Sequence, residues 1–341
     1  MSQKESIGVT GGTGFVGSHL LYYLAKAGNK VNALKRKNSS DELTRKIFSW
    51  HEPDYIDLFN KINWVNGDVT DLDSLESFIK PGMKLFHTAG LVSFNPEDKE
   101  KLNEINQNGT ANVVNVSLEK KIEKLCFVSS IAAVGRDNSE PLTTEETPWD
   151  NRAKVSNYAI SKHEAEREVW RGIAEGLNAV IVNPTIILGP GDWNKGSVKM
   201  FQKVYSGLSF YTPGKNGYVD VEDLVKIMIL LENKPVSGER FIINSENVSY
   251  KKLFTWMAEG LHVKPPKYKA GKFISEAVWR LDKLKSWITR QKPLITKETA
   301  RTALQSYEYS NEKIINATGY QFKPLQQTLL ETGEIFLKDI K

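Results

Sequence analysis

Tyr158 and Lys162 stand four residues apart in Tyr158-Ala159-Ile160-Ser161-Lys162. On a helix that spacing puts a phenol and an ammonium on one face. An apolar run earlier in the chain ends on two serines, Ser129-Ser130. These residue types suit carbonyl–alcohol interconversion by hydride transfer, in which the developing alkoxide needs a proton. A free tyrosine, with a pKa near 10, is a poor acid–base catalyst at neutral pH. Bringing it to ~7 takes about 4 kcal/mol of preference for the phenolate, at ~1.36 kcal/mol per unit. A lysine ammonium and a cationic nicotinamide nearby supply such a field. A serine hydroxyl that donates to the substrate oxygen fixes it in place, as an oxyanion donor does. A tyrosine and a lysine four apart are ordinarily surface decoration. Here they gain meaning from a glycine-rich turn near the start of the chain.

That turn is Thr10-Gly11-Gly12-Thr13-Gly14-Phe15-Val16-Gly17, placed between a short apolar run and an apolar helical pattern carrying Leu20, Leu21 and Leu24. Gly11 allows a sharp turn, Gly14 a close approach of backbone to a pyrophosphate, and Gly17 tight helix–strand packing. The helix start offers free N–H groups and a positive dipole end to the phosphates. About 20 residues on, an acid would bind the ribose hydroxyls of NAD. The chain instead has Leu34-Lys35-Arg36-Lys37, and its first acid there is Asp41. Lys35 and Arg36 suit an anionic 2′-phosphate, so NADP(H) is favoured and NAD(H) remains an alternative. A solvated basic loop is the bland reading of the same residues. Asp68 and Val69 follow the third apolar run, where Asp68 could accept from an adenine amino group. Thr88, Ala89 and Gly90 follow the fourth and offer small residues where a cofactor must pass. His87, on an apolar run, reads as packed.

Positioning these residues takes a parallel α/β sheet. Apolar runs at 6–10, 30–34, 62–65, 83–87, 124–129 and 179–182 alternate with helical patterns at 14–27, 72–79, 102–119 and 157–175. The alternation predicts a doubly wound Rossmann sheet. The long connection 40–61 carries Phe48, Trp50, Tyr55, Leu58 and Phe59 and predicts added helical turns. Beyond 188 the alternation fails, apart from one more strand at 240–244. The expected division is a discontinuous dinucleotide-binding domain, 1–188 with 217–247, and a smaller, mostly helical substrate domain, 189–216 with 248–341.

The composition is that of a globular chain of 341 residues, 40% apolar and 26% charged, at net charge +5. That charge does not by itself argue for nucleic acid, since a footprint needs basic residues clustered on one face, and no nucleic-acid partner is expected. A lone cysteine, Cys126, excludes an intrachain disulfide and reads as a buried strand residue. No stretch reaches the ~18 apolar residues of a membrane span. The first strand begins too early for a signal peptide, so a cytoplasmic enzyme is expected. The run 278–284 is amphipathic, but its acids suit a helix over the cleft better than a membrane surface.

In order, GGTGFVG, GDVTD, HTAG, NQNGT, SSIAAVG, YAISK, NPTIILGPG and YVDVEDL make the chain resemble the extended short-chain dehydrogenase/reductases, or NAD-dependent epimerase/dehydratase family. The resemblance implies a catalytic set of Ser130, Tyr158 and Lys162. Ser130 is chosen over Ser129 by its spacing to Ala133-Val134-Gly135. Asn183 and Pro184 match the segment that lines the nicotinamide, and Asn106, Tyr158 and Lys162 also fall at the cofactor. Sugar-nucleotide enzymes of the family usually carry an arginine just before the aromatic residue at Tyr218; this chain does not. Asp220 also stands where those enzymes often have histidine. The sequence is therefore more similar to the dihydroflavonol reductase and 3β-hydroxysteroid dehydrogenase branch, which implies a small, fairly apolar carbonyl or alcohol substrate. A sugar-nucleotide epimerase/dehydratase with tightly held cofactor, and a non-catalytic NADP(H) sensor, stay open as alternatives. Helices 102–119 and 157–175 pair across a dimer axis in many relatives, which makes a homodimer an expectation of the resemblance.

Overall fold

The computed structural model describes residues 6–136, 142–150, 155–271, 280 and 303–340. The first half of the chain alternates strands β1 (Ile7–Thr10), β2 (Val31–Lys35), β3 (Ile62–Asn66), β4 (Lys84–His87) and β5 (Lys124–Val128) with helices. Those helices are α1 (Phe15–Lys26), α2 (Glu42–His51), α3 (Ile56–Phe59), α4 (Leu72–Phe78), α5 (Lys99–Leu102) and α6 (Gly109–Lys120). The short β6 (Leu142–Thr143) precedes α7 (Asn157–Ala174) and β7 (Ala179–Pro184). There follow β8 (Ile186–Leu188), α8 (Lys199–Tyr205), β9 (Phe210–Tyr211), β10 (Lys215–Asp220), α9 (Val221–Glu232), β11 (Glu239–Ile243) and β12 (Glu246–Ser249). The described chain ends with α10 (Tyr250–Gly260), β13 (Tyr268–Lys269), β14 (Glu308–Tyr309), α11 (Glu312–Thr318) and α12 (Leu325–Asp339).

Seven parallel strands form the main sheet in the order β11-β7-β5-β4-β1-β2-β3, a Rossmann-like α/β fold. Strands buried on both faces explain the continuous apolar runs in the sequence. Cys126, Val180 and Val182 face α1 and α9, whereas Leu125, Phe127 and Ile181 face the side of α4, α6 and α7. The strand order reverses between β1 and β4. The crevice at their carboxyl ends is where open α/β sheets hold ligands.

Two elements differ from the sequence expectation. The helix expected over 102–119 is interrupted by a π-helical stretch, Asn103–Asn108, between α5 and α6. The wider turn buries Asn106, whose amide makes contacts described below. From 186 on, a three-stranded sheet β12-β10-β8 forms where the alternation of strands and helices was read as failing and a mostly helical lobe was expected. It is joined by a third core cluster that includes Trp193, Phe201, Tyr218, Met257, Leu329 and Phe336. The run 278–284, apart from Arg280, lies outside the described residues. No described helix is long and apolar enough to cross a membrane.

Candidate active site

The glycine turn follows β1 directly. Gly11 has φ +72°, and a Cβ there would sit 2.6 Å from the Ala89 nitrogen. A Cβ on Gly17 would overlap the Gly11 carbonyl, so α1 runs against the turn. Gly14 is exposed and begins α1 with no side-chain cap, which leaves the helix N-terminus open to a ligand. Thr13 is partly exposed beside it. The Phe15 ring packs on His19, and Val16 packs on the core, so from those two residues the backbone faces the turn. Thr88 Oγ1 donates to the Thr10 carbonyl at 2.7 Å and ties the strand ends together.

His87 is fully buried between Thr10 Oγ1 (2.7 Å) and Thr110 Oγ1 (3.1 Å). Burial, with Lys162 as a second cause, pushes its pKa down to about 3. It is a neutral spacer between β1, β4 and α6. Cys126 is likewise buried, and burial raises its thiol well above the usual range.

The residues expected at the adenosine end gather at the carboxyl ends of β2 and β3. The Lys35 ammonium lies 5.2 Å from the centre of the Trp64 ring, and Arg36 is exposed. Asp68 Oδ1 accepts from the Thr70 nitrogen and hydroxyl, both at 3.0 Å, so one oxygen caps its own turn. Val69 is buried against Gly109.

At the other end of the crevice, Ser130, Tyr158 and Lys162 come together. Ser156 caps α7 by accepting from the Ala159 nitrogen at 3.0 Å, which fixes the helix start just before Tyr158. The Ser130 hydroxyl lies by the Tyr158 phenol and favours its ionised form. Burial pushes the Tyr158 phenol up and the Ser130 hydroxyl opposes it, so the phenol is protonated at neutral pH. Lys162 Nζ donates to the Val128 carbonyl at 2.9 Å and lies 4.6 Å from the centre of the Phe127 ring. Burial lowers its pKa to about 8, against the opposing charge of Glu166. Phe94 meets the Tyr158 ring edge-on at 5.6 Å, with Val92 exposed nearby in the chain.

Asn106 reaches the same place from the π-helical stretch. Its Oδ1 accepts from the Leu91 nitrogen at 2.7 Å, and its Nδ2 donates to the Leu91 carbonyl and to Ser161 Oγ, both at 2.9 Å. A Cβ placed on Gly90 would lie 3.4 Å from Asn106 Oδ1 and 3.9 Å from Lys162 Nζ, with no backbone in the way. Asn183 Nδ2 donates to the Ser130 carbonyl at 3.0 Å, while its Oδ1 is buried with no hydrogen-bond partner. Pro184 ends β7 beside it.

The sequence reading missed Glu166, a buried acid one turn beyond Lys162, although its spacing continues the face of Tyr158 and Lys162. It also gave Asp220 no structural work. Asp220 caps α9 through the Glu222 nitrogen at 2.6 Å and accepts from Thr328 Oγ1 at 2.7 Å, holding α12 to the sheet.

An uncapped helix behind a glycine turn, a small-residue passage at Gly90 and an unpaired buried amide oxygen at Asn183 all fit a nicotinamide dinucleotide. Fold and crevice together define a Rossmann-type enzyme that works with such a cofactor. The chain belongs to the NAD-dependent epimerase/dehydratase family, whose profile matches residues 7–244. It is similar to sterol demethylase protein B of Methylococcus capsulatus, 25% identical over 253 residues that cover 74% of this chain and 73% of that protein. It is also similar to cinnamoyl-CoA reductase 1 of Petunia hybrida, 27% identical over 336 residues that cover 95% and 90%. Among solved structures it resembles gox2253, at TM-score 0.80 and 28% identity over 98% of each chain.

Proposed function

We propose that this chain is an NADP(H)-dependent reductase that interconverts a carbonyl and an alcohol on a small, fairly apolar molecule. The carrying observation is the convergence of the Ser130 hydroxyl and the Tyr158 phenol beside the buried Lys162. When bound, the nicotinamide supplies the hydride. Tyr158 Oη holds the proton that the product oxygen needs, Ser130 Oγ holds the substrate oxygen, and Lys162 Nζ favours the phenolate left behind. Gly11, Thr13, Gly14 and the Phe15, Val16 and Gly17 nitrogens would hold the diphosphate. Lys35 and Arg36 would hold the 2′-phosphate, and Asp68 and Val69 the adenine end. Thr88, Ala89, Gly90, Asn106, Asn183 and Pro184 would border the nicotinamide half.

Phe94 beside Tyr158, with Val92 exposed two residues before it in the chain, supports an apolar substrate, and the likeness to a cinnamoyl-CoA reductase points the same way. The segment before Tyr218 weighs against a sugar diphosphate: a Cβ at Gly217 would lie 2.5 Å from Asn244 Oδ1, and Asn216 is buried. The two-domain division, 1–188 with 217–247 and 189–216 with 248–341, is part of the proposal. It is supported by a core cluster drawn mostly from the smaller lobe, to which Leu188 and Tyr218 of the larger one also contribute. A homodimer through α6 and α7, which pack side by side, completes it.

The test is dialysis followed by parallel screens of NADPH with carbonyl compounds and of UDP- and dTDP-sugars. A reductase releases its dinucleotide and consumes NADPH stoichiometrically. Retained dinucleotide with a sugar product, and no NADPH oxidation, overturns the reading in favour of an epimerase. Binding of NADP(H) with neither activity makes the chain a sensor. NADP(H) is expected to bind roughly tenfold more tightly than NAD(H), a difference of ~1.4 kcal/mol. Arg36→Ala removes most of that difference and leaves NAD affinity unchanged.

A further inference from the structure

Glu166 carries a buried carboxylate for which the proton chemistry above has no use, its side chain only 3% exposed. Both of its oxygens are filled. Oε2 accepts from Ser129 Oγ at 2.6 Å and from Asn183 Nδ2 at 2.7 Å. Oε1 accepts from Arg240 Nη1 at 3.1 Å and from Trp170 Nε1 at 3.3 Å. Three of the four donors come from neighbouring strands of the main sheet or their ends: Ser129 just past β5, Asn183 in β7 and Arg240 in β11. The same Asn183 Nδ2 also holds the Ser130 carbonyl, and Arg240 Nε donates to the Glu145 carbonyl at 2.9 Å. An isolated buried carboxylate is costly, so this density of donors marks a position that the fold satisfies fully.

We propose that Glu166 is the positioning residue of this site, locking α7 to β5, β7 and β11 so that Tyr158 and Lys162 meet Ser130 in register. The inference rests on the Ser130–Tyr158–Lys162 reading given above. Tyr158, Lys162 and Glu166 follow one another at four-residue steps on one helix, so a shift at Glu166 moves the other two with it. Ser130 is held from the opposite side, through Asn183 and through the chain from Ser129. Misplacement of reacting groups by about 1 Å costs up to ~10²-fold in rate, which makes such a lock catalytically consequential. The carboxylate also acts as a charge. The groups facing Lys162 are Glu166 and Tyr158 on its own helix and the neutral His87 on β4, with Arg240 on β11 paired to Glu166. Of these, Glu166 is the one carboxylate, and it favours the ammonium.

Glu166→Gln tests this. It keeps the shape but turns an amide donor toward groups that are themselves donors. Two readouts separate positioning from simple folding support. In carbon NMR of protein labelled at the lysine Cε, with Lys162 assigned through Lys162→Met, the Lys162 midpoint is expected to fall by about half a pH unit or more. With NADPH and benzaldehyde or 2,3-butanedione as probes, turnover is expected to fall roughly tenfold or more while dinucleotide affinity stays within about threefold. An unmoved Lys162 midpoint, or turnover within about twofold of the parent, overturns the proposal. Ser129→Ala removes one bond and leaves the charge, and it serves where Glu166→Gln does not fold. It is expected to lower turnover roughly fivefold at an unchanged Lys162 midpoint, and parental turnover in that variant overturns the lock. Tyr158→Phe runs beside both variants. If it keeps full turnover, the catalytic trio falls and the role of Glu166 in catalysis falls with it, whereas the Lys162 midpoint still reports the charge separately.

Discussion

At the scale of single residues, Tyr158 and Lys162 are set to different tasks by the same burial. Burial holds the Tyr158 phenol protonated and pulls the Lys162 ammonium down to about 8. Tyr158→Phe is expected to keep the fold and cofactor binding and to lower turnover by ~10²-fold or more, the scale of a lost general acid. Reduction should also decline as pH rises through about 8, where Lys162 gives up its proton. In the unfolded chain that lysine keeps its proton up to its ordinary value. Between the two values the unfolded state binds more protons, so this group makes stability rise with pH across the window. The charge is therefore a burden on the fold at neutral pH. Lys162→Met should raise the melting temperature there while removing activity, and thermal melts at pH 7 and pH 10 check this: the gain shrinks at the higher pH. A variant that melts lower at both pH values would show that the Val128 carbonyl bond outweighs the burden.

At the scale of elements, α1 and α2 meet over the buried His19 and the partly buried His51. His19 donates from Nε2 to the Pro190 carbonyl (2.9 Å), and His51 stacks on Tyr22 at 4.0 Å. Burial lowers both to about 4. Their neutral forms contribute stability above the ordinary histidine value, and that contribution is lost as pH falls from there toward 4. His51→Phe should leave stability at pH 7 within ~1 kcal/mol and reduce the acid sensitivity between pH 6 and 4, as urea titrations at both values would show. An unchanged acid slope would assign the sensitivity elsewhere. The same scale explains what the sequence made legible. Strands such as Ala179–Pro184 are apolar on both faces and announce themselves, and the glycine turn is bound to its place by its neighbours. The π-helical stretch is hidden, because over six residues its apolar spacing does not differ visibly from an α-helix. Strand β10 begins Lys215-Asn216-Gly217, which has low strand propensity, and it exists because β8 and β12 flank it. In the sequence Glu166 is one of several acids on its helix, although it continues the face of Tyr158 and Lys162. Its burial follows only once Ser129, Asn183 and Arg240, which lie 37, 17 and 74 residues away, converge on it.

Across the whole molecule, one carboxylate joins distant parts of the chain. Asp339, at the end of α12, accepts from Trp193 Nε1 at 2.7 Å and pairs with Lys46 of α2 at 2.9 Å. Asp339→Ala should lower the stability of the intact protein by about 1–3 kcal/mol in one cooperative transition, because it strands a buried indole donor. Lys46→Met, which loses only a partly exposed pair, should cost under ~1 kcal/mol. Urea denaturation of both variants decides this, and equal losses would make the ion pair the main contact. Position 217 carries a consequence of another kind. The space a first side-chain carbon would need is filled by Asn244, Tyr309 and Thr185, from three separate segments, and Asn244 is itself bound to the Tyr309 carbonyl at 3.0 Å. An arginine there would have to displace all three side chains. A larger side chain at position 217 therefore needs compensating changes in the segments that carry Asn244, Tyr309 and Thr185.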